Sequence, residues 1–244
     1  MGARKLLAHC FDAYGRNFRL ISFFSVPLLI AFPLALLLPN YLAASGIFLR
    51  FGSIQYDLSL MGALFIVGVF LIALLLFSFA IAAINIVIKH QRTFTRITHN
   101  ELEGIEEATF SLFIIFLTAF IVTLLANLLV REYAPGQEIL GSAAALVVSL
   151  AILFAPQAVV IDGLKPWHAI SMSASIISRR FYYFVFFLCF ASVLLLANTW
   201  IFLELRNVWM MAPYVSLVIN AMILLPLFEV MKAQIYMSKY TLLR

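Results

Sequence analysis

The sequence predicts an all-α integral membrane protein, and three observations carry that prediction. Of its 244 residues, 65% are hydrophobic and only 11% are charged, whereas soluble domains carry about 25% charged residues. The charges lie between long apolar runs, and a helix needs roughly 20 apolar residues to cross about 30 Å of hydrocarbon. The runs are continuous, whereas strands of a membrane barrel would alternate in hydrophobicity over about 10 residues. Helices that satisfy their own backbone hydrogen bonds are therefore expected.

Six uncharged windows meet the length needed for a transmembrane helix. They predict a single membrane domain over residues 1–244, with spans at about 18–38, 60–88, 108–130, 139–161, 181–203 and 211–235. Pro39 and Asn40 end the first of these helices, because the residue before a proline is biased away from helical geometry. Cys10 and Cys189 are predicted to lie in different parts of the fold, so no disulfide is expected.

The positions of the basic residues predict the orientation of the spans. Thirteen lysines and arginines lie at the two termini and in the connections after the second and fourth spans, whereas three lie in the opposite connections. The positive-inside rule then places both termini in the cytoplasm, in a plasma-membrane protein. The net charge of +5 is explained by topology and anionic lipid headgroups, so it does not indicate nucleic acid.

The spans pair into three hairpins, and a polar cytoplasmic stretch precedes each hairpin: residues 1–17, 89–107 and 162–180. In the first stretch, apolar residues recur at helical spacing, which predicts an amphipathic helix lying in the membrane interface. In the third, Gly163 suits a helix end and Pro166 suits the first turn of the next helix. Four residues of this third stretch form a candidate surface for a lipid or protein partner: Trp167, His168, Arg179 and Arg180. The simpler interpretation of Trp167 is an aromatic anchor at the interface.

Neutral polar residues are predicted to lie deep in the spans. Asn127, Asn198 and Asn220 are all expected toward the outer leaflet, where they form a candidate polar cluster. The simpler interpretation is hydrogen bonding between helices, which contributes about 0.6 kcal/mol on average. Glu229 and Lys232, three residues apart, are expected to form a local ion pair at the cytoplasmic headgroups. No charged residue is expected near the middle of a span, unlike in ion-coupled transporters.

No catalytic or metal-binding motif is recognised. The spacing of the four histidines does not match H-E-x-x-H, and the sequence has no glycine-rich phosphate loop and no G-x-S-x-G nucleophile elbow. We therefore expect no metal, no cofactor and no enzymatic activity. The least favoured interpretation is a membrane-embedded enzyme acting on lipid headgroups, and the residues available to it are His90, His99, Glu103 and Glu107.

Residues 155–184, APQAVVIDGLKPWHAISMSASIISRRFYYF, resemble a segment of six-helix membrane proteins related to the membrane domain of glycerophosphoryl diester phosphodiesterases. The shared parts are Pro156, the turn Asp162-Gly163, Ala169 with Ser173, and the basic-aromatic run from Arg179 to Tyr183. The N-terminal AYGRNFRLISFFSVPLLI is similar to the start of that family's first span, and archaeal and bacterial proteins share the layout. The family's phosphodiesterase chemistry belongs to a separate soluble domain with no counterpart in this sequence. The resemblance therefore implies a fold and a membrane location without an activity.

The sequence favours a non-catalytic membrane protein of accessory, assembly or lipid-interacting type. Its expected partners are membrane lipids, together with a protein partner in the membrane or a second copy of the chain. The alternative is a transporter or channel for a small molecule or a lipid. That alternative would use the three asparagines and a first helix kinked by Pro27 and Pro33.

Overall fold

The computed structural model describes residues 3–36, 41–44, 47–50, 60–93, 99–133 and 138–238. Within these ranges the fold is helical apart from one short ribbon of two antiparallel strands. The helices are α1 (Ala3–Arg16), α2 (Phe18–Leu36), α3 (Leu60–Thr93), α4 (His99–Tyr133), α5 (Glu138–Ala151), α6 (Ala155–Asp162), α7 (Pro166–Arg179), α8 (Phe181–Arg206), α9 (Ala212–Ile219) and α10 (Leu225–Met237). A π-helical turn, Asn220–Leu224, joins α9 to α10. The strands are β1 (Tyr41–Ala44) and β2 (Ile47–Arg50), and Tyr41 pairs with Arg50.

Five stretches of the described chain are long and apolar enough to cross a membrane. They are Val67–His90, Gly104–Val130, Ile139–Asp162, Phe181–Arg206 and Ala212–Met237. The first predicted span corresponds to α2, whose apolar part, Phe18–Phe32, is shorter. The protein is therefore a helical, multi-pass membrane protein by the length and composition of its helices.

Two of the predicted spans are interrupted helices. The fourth breaks at residues 152–154, between α5 and α6, and the sixth contains the π-helical turn before α10. A proline follows each interruption, Pro156 in the first turn of α6 and Pro226 in the first turn of α10. Because proline lacks an N–H, the carbonyl four residues before it loses its usual helical donor. For Pro226 that carbonyl belongs to Met222, and the Tyr14 hydroxyl donates to it at 3.4 Å.

Helix α7 packs against the break between α5 and α6. Its buried face consists of Ala169, Ser173 and Ile176. The backbone N–H of Phe154, which the break deprives of a regular helical partner, donates to the Ser173 hydroxyl oxygen at 3.0 Å. The predicted turn before α7 is confirmed, because Gly163 is left-handed with φ 66° and Pro166 lies in the first turn. Glycine suits this position because a side chain would be strained there.

Helix α3 lies at the centre of the bundle, against α2, α4, α6 and α10. Its side chains from Ala80 to Ile88 are all buried, and the Phe77 ring lies 5.5 Å from the Phe116 ring of α4. Helix α1 packs on α10 and buries Leu6, Cys10 and Ala13. Burial also raises the pKa of the Cys10 thiol to about 12.

Candidate functional site

Four side chains from three helices form a buried polar cluster, consisting of Asn85 on α3, Gln157 on α6, and Glu229 and Lys232 on α10. The Glu229 carboxylate accepts from the Asn85 amide at 3.1 Å and from the Gln157 amide at 2.9 Å. Gln157 also donates to the Asn85 side-chain oxygen at 3.1 Å. The Lys232 ammonium lies 2.5 Å from the second Glu229 oxygen. The cluster therefore joins α3, α6 and α10 around one carboxylate.

The ion pair between Glu229 and Lys232 is buried inside the bundle, which the sequence prediction did not include. The pairing of Glu229 with Lys232 is confirmed, and the two residues are enclosed by the bundle, with exposed fractions of only 2% and 3%. Glu229 lies eight residues before the end of the candidate span at Met237, which is roughly 12 Å at a rise of 1.5 Å per residue. The hydrogen bonds from Asn85 and Gln157 make this burial possible, because their amides replace water around the carboxylate.

Two further polar contacts surround the cluster at the same end of the bundle. The Lys89 ammonium on α3 donates to the Val160 carbonyl of α6 at 2.8 Å. The Tyr236 hydroxyl on α10 donates to the Asp162 carboxylate at the end of α6 at 2.6 Å. The side-chain oxygen of Gln157 is a buried acceptor without a hydrogen-bond partner. This end of the bundle is thus tightly connected and leaves one acceptor of the cluster unused.

The structure joins two of the three predicted asparagines directly. The Asn198 amide on α8 donates to the Asn220 side-chain oxygen at 3.0 Å and to the Ser216 hydroxyl at 2.8 Å. The third, Asn127 on α4, donates to the Thr123 carbonyl of its own helix at 2.8 Å. Its side-chain oxygen occupies the space that a Cβ on Gly141 of α5 would need. The Asn198–Asn220 pair therefore links α8 to the π-helical turn, whereas Asn127 packs between α4 and α5.

The predicted partner surface lies at the two ends of α7. Trp167 and His168 begin the helix and are exposed, Trp167 by 67%. Arg179 ends the helix and is exposed, whereas Arg180 is half-buried, with its guanidinium 3.5 Å from the Ser238 carbonyl. Arg179 lies twelve positions after Trp167, which corresponds to roughly 18 Å of helix. The four residues are thus two separate sets, one aromatic and one basic.

A lateral groove opens on the side of the bundle, between α2, α3 and α4, with a volume of about 870 Å³. That volume lies in the range of roughly 300–1,000 Å³ that is usual for ligand pockets. Aromatic and aliphatic side chains form most of the lining, together with two carboxylates and one hydroxyl. The lining residues are Phe24, Leu75, Leu76, Phe79, Ile105, Glu106, Glu107, Thr109 and Phe110.

The groove has a polar end and an apolar end. Glu106 and Glu107 lie two and three residues inside the candidate span that begins at Gly104. Leu75 on α3 lies fifteen residues before His90, the end of the neighbouring span. Fifteen residues of helix correspond to roughly 22 Å, so the groove runs lengthwise and covers more than half of the roughly 30 Å hydrocarbon core. The Thr109 hydroxyl donates to the Ile105 carbonyl of its own helix at 2.6 Å. The carboxylates of Glu106 and Glu107 are the charged groups of the lining.

The residues of the enzyme interpretation do not form a described site. His90 makes a 2.8 Å hydrogen bond through Nδ1 with the Ile86 carbonyl of its own helix. Glu107 faces the groove, and the side chains of His99 and Glu103 lie outside the described residues. Among the residues that the structure describes, no group of three histidine, cysteine or acidic side chains could hold a metal ion.

Sequence reasoning missed the lateral groove and the enclosure of Glu229. The groove depends on how α2, α3 and α4 pack against one another, and the periodicity of the sequence does not predict that packing. A signal for the cluster was present, because Asn85, Gln157 and Glu229 are polar residues in apolar surroundings within three spans. Comparison of the chain with protein-family models, curated proteins and solved structures finds no match. The resemblance to the phosphodiesterase membrane domain therefore stays a prediction.

Proposed function

We propose that this protein is a non-catalytic, six-span membrane protein that binds one membrane lipid in the lateral groove as a specific ligand. Both termini would be cytoplasmic, in the plasma membrane, as the distribution of basic residues predicts. The fold would resemble the phosphodiesterase membrane domain. The observation that carries the proposal is the groove itself, with its 870 Å³ volume and apolar walls.

The shape of the groove fits a lipid better than a water-soluble ligand. Its walls are mainly apolar, and it extends roughly 20 Å from the edge of one span, slightly more than half of the bilayer core of about 30 Å. An acyl chain entering from the carboxylate end would therefore stay within the groove over a full leaflet. Contact with Phe24, Phe79 and Phe110 would give that chain a packed aromatic surface. A soluble ligand would instead need more polar groups than the lining offers.

The cellular role would be accessory, since lipid binding without chemistry serves assembly or the placement of a partner. Helix α7 supplies a surface for such a partner, because Trp167, His168 and Arg179 are exposed. Under the proposed topology this surface faces the cytoplasmic headgroups, where basic side chains are attracted to anionic lipids.

The test is retention of lipid during purification in mild detergent, followed by native mass spectrometry. Leu75, 46% exposed, lines the groove, so Leu75→Trp should fill part of the groove and reduce the share of chains that carry a lipid. Leu196→Trp is the matched control, because Leu196 is 68% exposed on α8 and does not line the groove. Equal lipid retention in both variants and the wild type would contradict the proposal.

A second candidate function, transport of a small solute, is favoured by the buried polar cluster. Charged residues inside a membrane bundle often mark ion or substrate pathways, and interrupted helices and π-helical turns often accompany such sites. Glu229 and Gln157 lie on the two interrupted spans. This function predicts solute flux in proteoliposomes that Glu229→Gln abolishes while the folded fraction stays unchanged. Absence of flux for every tested solute in wild-type vesicles would count against it.

A further inference from the structure

We infer that the lateral groove selects a zwitterionic glycerolipid with a primary-amine headgroup, of the phosphatidylethanolamine type. This inference rests on the proposed function and adds the class of the ligand. Two exposed carboxylates, Glu106 and Glu107, lie at the polar end of the groove. A lipid chain that occupies the apolar part would bring its headgroup to these two side chains.

The charge at this end of the groove determines which headgroup fits. Two adjacent carboxylates repel a headgroup with a net negative charge and attract an ammonium group. A primary ammonium has three N–H donors, so it can make charge-assisted hydrogen bonds to both carboxylates. A quaternary ammonium has the charge but no N–H donor, so it can form no such bond.

None of the lysine and arginine side chains that the structure describes belongs to the groove lining. Lys89, one residue before the end of the α3 span, donates to the Val160 carbonyl on α6, a helix that contributes no residue to the groove lining. Arg16 on α1 pairs with Asp12 at 2.9 Å. The two glutamates, by contrast, are part of the lining, so a headgroup at this end of the groove would meet their charge.

The experiment is competitive lipid exchange on the purified full-length protein, read by native mass spectrometry. The protein is incubated with equal amounts of phosphatidylethanolamine, phosphatidylcholine and phosphatidylglycerol. We expect one retained phosphatidylethanolamine per chain, favoured about tenfold over each competitor, which corresponds to ~1.4 kcal/mol. In the double variant Glu106→Gln, Glu107→Gln the preference should fall to about onefold, while one lipid is still retained.

Glu132→Gln is the matched control, because Glu132 is an exposed carboxylate on the same helix, far from the groove. It should keep the full preference for the amine lipid. The same preference in the wild type and the double variant would overturn the headgroup inference and leave lipid binding intact. If the wild-type protein retained no lipid, the proposed function itself would be overturned. The same would hold if the mass spectrum showed a dimer of the chain without bound lipid.

Discussion

The buried polar cluster and the lateral groove both include side chains of α3, and they differ in what they leave open. In the cluster, Asn85 and Glu229 are surrounded by protein and by each other's hydrogen bonds. In the groove, Leu75 and the carboxylates of Glu106 and Glu107 face a volume of about 870 Å³. The polar side chains of the cluster bond to one another, whereas the groove offers an open volume lined mainly by apolar side chains.

This difference separates residues that hold the helices together from residues that can receive a ligand. Removing one partner of a charged pair in a low-dielectric interior is destabilising, because it leaves the other charge buried without compensation. The groove is open to its surroundings, and its occupancy depends on the surrounding lipid. Changes in the cluster should therefore alter stability, and changes in the groove should alter lipid content.

The largest expected effect is removal of one partner of the buried ion pair. Lys232→Met leaves the Glu229 carboxylate buried without its cation, which should lower the free energy of unfolding by about 3–5 kcal/mol. The double variant Glu229→Leu, Lys232→Met removes both charges and should recover much of that loss. Denaturation of the purified protein in detergent, followed by circular dichroism, measures both. A single variant as stable as the wild type would show that the cluster does not hold the bundle together.

A smaller loss of stability is expected at Ser173, the residue through which α7 contacts the break between α5 and α6. Ser173→Ala removes the acceptor of the Phe154 N–H and leaves a buried donor unsatisfied, which costs about 1–3 kcal/mol. Ser178→Ala is the matched control, because Ser178 is exposed on the same helix and bonds only locally to the Ser175 carbonyl. The same denaturation measurement compares the two, and equal stability would argue against a capping role for Ser173.

The neutral Asn198–Asn220 pair should contribute less than either of these interactions. Asn198→Leu removes its hydrogen bonds to Ser216 and Asn220, and such bonds within a membrane average about 0.6 kcal/mol. We expect a decrease in stability of about that size and unchanged lipid retention. If Asn198→Leu lowered the free energy of unfolding as much as Lys232→Met, the Asn198–Asn220 pair would be a main stabilising contact of the bundle.

The smallest effect on stability is expected from the thiol of Cys10 on α1. This thiol should react slowly with a maleimide in the native protein. Burial raises its pKa from 9.0 to about 12, so at pH 8 almost no thiolate is available to react with a maleimide. The neutral thiol is favoured in the fold, so its contribution to stability should be intact below pH 9 and fall as the pH rises toward 12. Mass spectrometry of the labelled native protein should show Cys10 unmodified, and the denatured protein should show it labelled. Rapid labelling in the native state would mean that α1 separates from α10.

Five of the six predicted spans correspond to stretches that are long and apolar enough to cross a membrane, whereas the apolar part of the first, Phe18–Phe32, is shorter. The agreement follows because a span is a local property of about 20 residues. Gly163 and Pro166 also predicted the turn before α7, because their backbone preferences act locally. The break at residues 152–154 was not predicted. It depends on the hydrogen bond from the Phe154 N–H to Ser173 of α7, a contact that Pro156 alone does not indicate. The enclosure of Glu229 was missed for a similar reason, because it depends on Asn85 and Gln157 from helices distant in sequence. The groove depends on helix packing alone.

Photo-crosslinking with a phosphatidylethanolamine whose acyl chain carries a diazirine tests lipid binding in the groove most directly. The protein is reconstituted into vesicles containing the probe, irradiated and digested, and the modified residues are identified by mass spectrometry. Specific binding predicts labels concentrated at Leu75, Phe79 and Phe110, reduced by Leu75→Trp and unchanged by Leu196→Trp. Labels spread evenly over the exposed apolar residues of α4 and α8, with no response to Leu75→Trp, would contradict it.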